Sequence, residues 1–252
     1  MRKVFIGISV FYFTILATII AYFVFQNNAK TLFSIFFSDE IRFAIMLTLI
    51  TSISASTLSL ILSIPIAYSL ANYSFRGKKI VEILTDLPLA LPPILLSFAL
   101  LIFLTKNPVV KFLENMGLEI LFTPYAIIIA LLLYITPEVI KILYSTFSTI
   151  DKRYHMVLKT LGYSDFQSFL KVDLPLSSKG IASAFIVALA RSIGAFGAIL
   201  LVSGAIKGKT ETLSIAIFLN WQGGNIDEAI AAATILILIS LILFYIFERI
   251  KK

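Results

Sequence analysis

Six apolar runs, separated by shorter polar stretches, divide the chain at residues 4–25, 43–73, 80–104, 124–147, 180–206 and 226–247. As a helix, each is long enough to cross a hydrocarbon core of roughly 30 Å, which takes about 20 residues. The pattern predicts an all-α integral membrane protein, one domain over residues 1–252, with six transmembrane helices. The second run is longer than a bilayer needs, so it is expected to tilt or project, with a kink at Pro65. Along it Thr48, Ser52, Ser56, Ser59 and Ser63 share one face, a spacing that favours close helix packing over a polar pathway. The third run is entered through Asp86, Leu87 and Pro88 and is interrupted by Pro92 and Pro93. Such a break is tolerated in a membrane only where neighbouring helices or a cavity satisfy the freed carbonyls. Residues 26–42, 105–123 and 207–225 read as loops on one side. The second has room for a short surface helix, and the third carries Trp221 as an interfacial anchor. The first run exceeds the ~7–15 apolar residues of a cleaved leader and has no small-x-small site after it, so it reads as a retained span.

Between the fourth and fifth runs lies a polar island, residues 148–179, with the sequence STIDKRYHMVLKTLGYSDFQSFLKVDLPLSSK. Asp151 is placed to cap a first short helix, in which Tyr154, Val157, Leu158 and Leu161 recur at i, i+3, i+4 and i+7. Gly162 follows, where a left-handed residue ends a helix well. Ser164 with Gln167 writes a capping box for a second helix, with Asp165 at its positive end. Phe166, Phe169 and Leu170 form its expected apolar face, and Pro175 its stop. These faces are too short to span a bilayer. Each large side chain is worth roughly 1.5–3 kcal/mol if it finds a partner. Two readings fit: amphipathic helices lying on lipid or under the bundle, or a docking element for a soluble protein.

Composition narrows the classes. The hydrophobic fraction is 59% and the charged fraction 14%, more apolar surface than a soluble domain of this size can bury. Cysteine is absent and His155 is the sole histidine, which excludes disulfides, thiolate sites and a histidine metal cluster. The net charge of +7 suggests nucleic acid, but the basic residues sit topologically. Arg2 and Lys3, then Arg76, Lys78 and Lys79, then the polar island and the C-terminus all fall on one side of a six-span chain. The positive-inside rule makes that side cytoplasmic, with both termini there, and makes anionic lipid headgroups the partner of the charge. Nucleic acid is set aside.

Catalytic patterns are missing. The sequence holds no GxxxxGK[ST] loop, no HExxH, no GxSxG and no pair of intramembrane aspartates, so transport, scaffold or receptor roles are favoured over an enzyme. A few charges fall inside the runs: Glu138 and Lys141 in the fourth, Arg191 in the fifth. At mid-bilayer a charge costs about 2.5–3.5 kcal/mol even on the lenient scale. Lys141 is placed to snorkel to the interface. Arg191 fits either an ion pair or a pathway. Ala190, Gly194 and Ala198 recur every fourth residue, a ridge that suits close packing within the subunit or across a dimer.

The polar island resembles the cytoplasmic loop of ABC-importer permease subunits, whose pattern is Glu-Ala-Ala, three residues, Gly, nine residues, then Ile-x-Leu-Pro. Gly162 has the matching distance to Val172, Asp173, Leu174 and Pro175, while Met156, Val157 and Leu158 stand where Glu-Ala-Ala would be. Residues 65–71 (PIAYSLA), 75–78 (FRGK), 86–93 (DLPLALPP), 190–198 (ARSIGAFGA) and 208–217 (GKTETLSIAI) resemble molybdate and tungstate permeases, and sulfate permeases share much of the pattern. That family commonly has Glu where Ala195 stands, within reach of Arg191 on one helix face. Glu138 or Asp86 is the candidate replacement.

The resemblance implies a type I importer permease acting as a homodimer. Its partners would be two ATPase subunits, which would hold the ATP and magnesium, and an extracytoplasmic binding protein. The chain itself would carry no cofactor. Tyr154, Val157, Leu158, Leu161, Gly162, Phe166 and Phe169 would form the coupling helices. The cargo would be molybdate or tungstate, with sulfate as the alternative oxyanion. A membrane scaffold or receptor docking some other protein is the reading from a different class.

Overall fold

In the computed structural model, residues 1–26 and 29–250 are described, and among them the regular structure is helical throughout. Four helices are long and apolar enough to cross a membrane, or six if each of two bent pairs counts as one span. The first, α1 (Arg2–Phe25), buries none of its residues and runs lightly along the last helix. A short helix, α2 (Ala29–Phe36), then occupies the stretch expected to be loop. Ser38 caps α3 (Asp39–Asn72) by accepting the Ile41 N–H at 3.3 Å, with Asp39 and Glu40 at the positive helix end. The second span therefore starts four residues before the apolar run does. At 34 residues it is about 51 Å long. It passes unbroken through Pro65.

The centre of the molecule is the packing of α3 against α7 (Pro124–Ser148). Ile127, Leu131, Ile135, Val139, Leu143 and Phe147 of α7 are fully buried at three- and four-residue steps. The hydroxyl face of α3 meets them: Thr48, Ser52, Ser56, Ser59 and Ser63 are all buried. Lipid tails give apolar side chains no reason to leave them, so close approach of small residues and hydrogen bonds must hold such a pair. One such bond runs from Thr136 Oγ1 to Ser59 Oγ at 3.0 Å.

The third span is two helices. These are α4 (Lys78–Ala90) and α5 (Pro93–Lys106), set 112° apart at Leu91 and Pro92. Pro93 opens α5, since its missing N–H is unneeded in a first turn. The following helix α6 (Pro108–Asn115) is capped by Asn107. Next to α7 in the chain come α8 (Arg153–Thr160), α9 (Asp165–Ser168), a π-helical turn (Phe169–Asp173), α10 (Leu174–Leu176) and α11 (Ser178–Ile193). The expected fifth span of residues 180–206 is shorter than its apolar run. α11 stops at Ile193 and only one further turn, α12 (Leu200–Ser203), follows. At Gly180 a Cβ would collide with the side chain of Thr146, so glycine is what lets α11 cross the end of α7.

The expected loop at 207–225 is corrected as well. It holds α13 (Leu213–Gln222), whose Leu213, Ser214, Ile215, Ala216 and Asn220 are buried. With the start of α3 and α14 (Ile226–Ile250), α13 builds a second core around Ile41, Ala44, Leu213, Ala216, Ala232 and Ile235. The Leu213 N–H donates to Thr48 Oγ1 at 2.9 Å, which anchors the helix start in the bundle.

Candidate functional site

The polar island folds into a hairpin that braces itself. Lys152 is the cap residue of α8. Asp151, expected in that role, accepts the Arg153 N–H at 2.9 Å from one position earlier. At the far end the Tyr163 N–H reaches Leu158 O and the Gly162 N–H reaches Lys159 O, both at 3.0 Å. This is a Schellman closure, and it needs a left-handed residue. Gly162 has φ +82°, and a Cβ there would touch nothing, so the requirement is conformational rather than steric. Ser164 and Gln167 form the expected capping box. Lys159 pairs with Asp165 at 3.0 Å, and the Lys171 ammonium lies 4.1 Å from the centre of the Tyr163 ring.

On this frame Tyr154, Val157, Leu161 and Phe166 stand out into solvent, with Leu161 67% and Phe166 69% exposed. The expected single apolar face of the first helix is split. Leu158 turns half inward, while Tyr154, Val157 and Leu161 stay bare. The second helix is corrected more strongly. After one α-turn it widens into the π-turn, and Pro175 lies inside α10 rather than ending the run. Phe169 leaves the outer surface to stack on Tyr68, with ring centres 4.8 Å apart, beside Phe147. An aromatic pocket between α3 and α7 takes Phe169, and Phe166 has no counterpart there.

Arg191 and Glu138 come together as an ion pair between α11 and α7. Tyr134, one turn before Glu138, accepts from Arg191 Nη2 at 2.7 Å and also lies under the guanidinium at 4.7 Å. Both charged side chains are about one-third exposed, 37% and 31%, so the pair borders open space rather than sealed core. Asp86 takes a different partner: it meets Lys141 at 2.9 Å, which removes it as the replacement for the missing glutamate. The small-residue ridge is also corrected. Ala190 and Gly194 line an apolar groove of about 400 Å³ between α11 and α14, with Leu189, Ile193, Leu236 and Ser240. Ala198 lies past the end of α11 and is buried.

Two residues were passed over in the sequence because 18 positions part them. His155 Nε2 lies 2.8 Å from Asp173 Oδ2, and the Asp173 side chain is 1% exposed. The signal available was the presence of a carboxylate in an otherwise apolar stretch, Val172 to Leu174.

The family model for binding-protein-dependent transport system inner membrane components matches residues 63–252. Among curated proteins, the probable transport system permease protein NifC of Clostridium pasteurianum is 31% identical over 96% of this chain and 85% of its own length. The molybdenum transport system permease protein ModB of Haemophilus influenzae is 32% identical over 83% and 94%. The sulfate transport system permease protein CysT of Escherichia coli is 28% identical over 82% and 76%. Among solved structures, a bacterial alginate ABC transporter in complex with its pentasaccharide-bound periplasmic protein shares the fold at TM-score 0.68. The identity is 19%, over 96% of this chain and 95% of that one.

Proposed function

The chain belongs to the family of binding-protein-dependent transport system inner membrane components, and from that premise we propose that it carries a tetrahedral oxyanion, molybdate or tungstate, through the membrane by alternating access. It works as a homodimer with the path on the two-fold axis. Two ATPase subunits bind ATP and magnesium and grip the hairpin from the cytoplasm. A binding protein delivers cargo from the other side and sets its identity. The observation that carries the coupling part is the hairpin itself: a rigidly capped frame presenting Tyr154, Val157, Leu161 and Phe166 to solvent. Unpartnered aromatic and aliphatic anchors on an ordered element are what a docking groove takes. Gly162 sets the angle between the two arms, and Leu158 holds the first arm down.

The half-exposed Arg191, neutralised by Glu138 and supported by Tyr134, is the one positive group we place on the path. Chemistry on the cargo is not required, so the chain acts as a permease and hydrolysis stays with the ATPase. Sulfate is the second reading, favoured by the similarity to CysT.

Co-purification with the ATPase tests the coupling. Leu161→Asp and Phe166→Asp each bury an unpaired carboxylate in the groove and should dissolve the complex while the permease still inserts. Retention of the ATPase by both variants would place the hairpin on the lipid surface. Cargo is read in vesicles holding the whole complex, as competition between labelled molybdate and unlabelled tungstate or sulfate.

A further inference from the structure

We propose that His155, Asp173 and Tyr68 form a latch through which movement of α8 is carried into α3 and α7. The proposal rests on the reading of the hairpin as the ATPase-coupling element. Within α8 only His155 and Leu158 are even half-buried; every other residue of the helix is exposed. The helix is thus held to the bundle at two points, one polar and one apolar. The polar point is unusual in its partner. Asp173 is buried to 1%, its Oδ2 faces His155 Nε2 at 2.8 Å and accepts from Tyr68 Oη at 3.3 Å, and its Oδ1 has no hydrogen bond. An ionised carboxylate in that position requires the proton on His155 Nε2, whether the ring is neutral or cationic.

The arrangement makes α8 hard to lift alone. Separating His155 from Asp173 would strand a buried carboxylate, which is far more unfavourable than the pair is favourable. A pull on α8 therefore draws Asp173 with it. Asp173 closes the π-turn that begins at Phe169, and π-turns recur where helices are asked to change shape. Both ends of that turn converge on Tyr68. Its hydroxyl bonds Asp173, and its ring stacks on Phe169 and stands edge-on to Phe147 of α7 at 5.6 Å. Tyr68 lies on α3, the helix packed most extensively on α7. A displacement of the outer arm thus reaches the two central helices through one tyrosine. His155 and Asp173 are positioning residues in this scheme and touch neither ATP nor cargo.

The complete transporter in proteoliposomes gives the test, read as cargo moved per ATP hydrolysed. His155→Leu should leave the ATPase bound, since the bare ridge is untouched, and lower the coupling ratio by about tenfold or more. His155→Gln keeps a donor toward Asp173 and should restore most of it. Should His155→Leu fail to fold because Asp173 is stranded, the double variant His155→Leu with Asp173→Leu removes the charge as well and should fold yet stay uncoupled. A wild-type coupling ratio in either Leu variant overturns the latch. A second readout needs no ATPase. The chain has no cysteine, so Lys152→Cys and Arg76→Cys can carry spin labels without background. Their distance distribution should be narrow with His155 present and broad in His155→Leu; equal widths overturn the latch. If the wild-type chain binds no ATPase, the coupling reading falls, and the label distances alone decide whether α8 is tied down.

Discussion

Glu211 shows how a single side chain can set a pH dependence. It is fully buried, yet only one of its oxygens is satisfied, by the Gly208 N–H at 3.0 Å. Burial pushes its carboxyl above the ordinary range. The Gly208 N–H opposes the shift, neighbouring Glu40 adds to it, and Lys207 works against it. Lys207 itself pairs with Glu40 at 2.7 Å, which raises the ammonium above its usual value. The sign for Glu211 follows from linkage. The folded chain holds this proton more tightly than the unfolded one, so stability is greatest below the ordinary carboxylate range and is lost as pH rises through the elevated value. Glu211→Gln keeps an acceptor for Gly208 and never ionises. Its melting temperature should exceed that of the wild type by about 2–4 °C per kcal/mol relieved at pH 8, and the gap should close at pH 4. Thermal unfolding in detergent across that range checks it. A gap independent of pH would mean Glu211 stays ionised throughout.

Among the elements, the hairpin is held more by its own caps than by the bundle beneath it. Gly162 is the point on which the two arms turn. With φ at +82° and open space around it, alanine there meets strain but no clash. Gly162→Ala should therefore loosen the hairpin by about 1 kcal/mol without unfolding the spans. Hydrogen exchange would rise in residues 153–168 and stay unchanged in α3 and α7. A rise across α7 as well would show that the hairpin and the bundle melt as one unit. The contrast with α13 is instructive. Its ten residues are too few to span a bilayer, and they are flanked by Lys209, Thr210 and Glu211 before and two glycines after. Local polarity thus reads as loop, while burial against α3 and α14 makes a helix.

For the whole molecule, orientation is the property the charge pattern speaks to most directly. Single cysteines at Lys152 and at Lys111 offer opposite ends to a membrane-impermeant maleimide in intact cells, again with no native thiol to compete. Labelling at Lys111→Cys alone is expected; labelling at Lys152→Cys alone would invert the topology. Much of the architecture was legible before any coordinates, because apolar runs and the hydroxyl face of α3 obey simple periodicities. The less legible parts are all long-range. Phe169 turns inward because Tyr68 and Phe147 wait for it. Asp86 goes to Lys141 and leaves Arg191 to Glu138, a choice that depends on how α4, α7 and α11 are arranged. The end of α11 at Ile193 falls inside an apolar run where nothing local announces it.

The π-turn at Phe169–Asp173 is, in effect, one surplus residue stored inside a helix. Removing any residue from it would let the segment relax to an α-helix, and everything beyond would rotate by about 100° relative to the hairpin. Asp173 and the start of α11 would then face new neighbours together. Length is thus as constrained here as chemistry. Substitutions can accumulate through residues 166–177 one at a time, but an insertion or deletion would change the gearing between the two halves of the chain in a single step. The stretch at 116–121, between α6 and α7, joins its helices without such a register to keep.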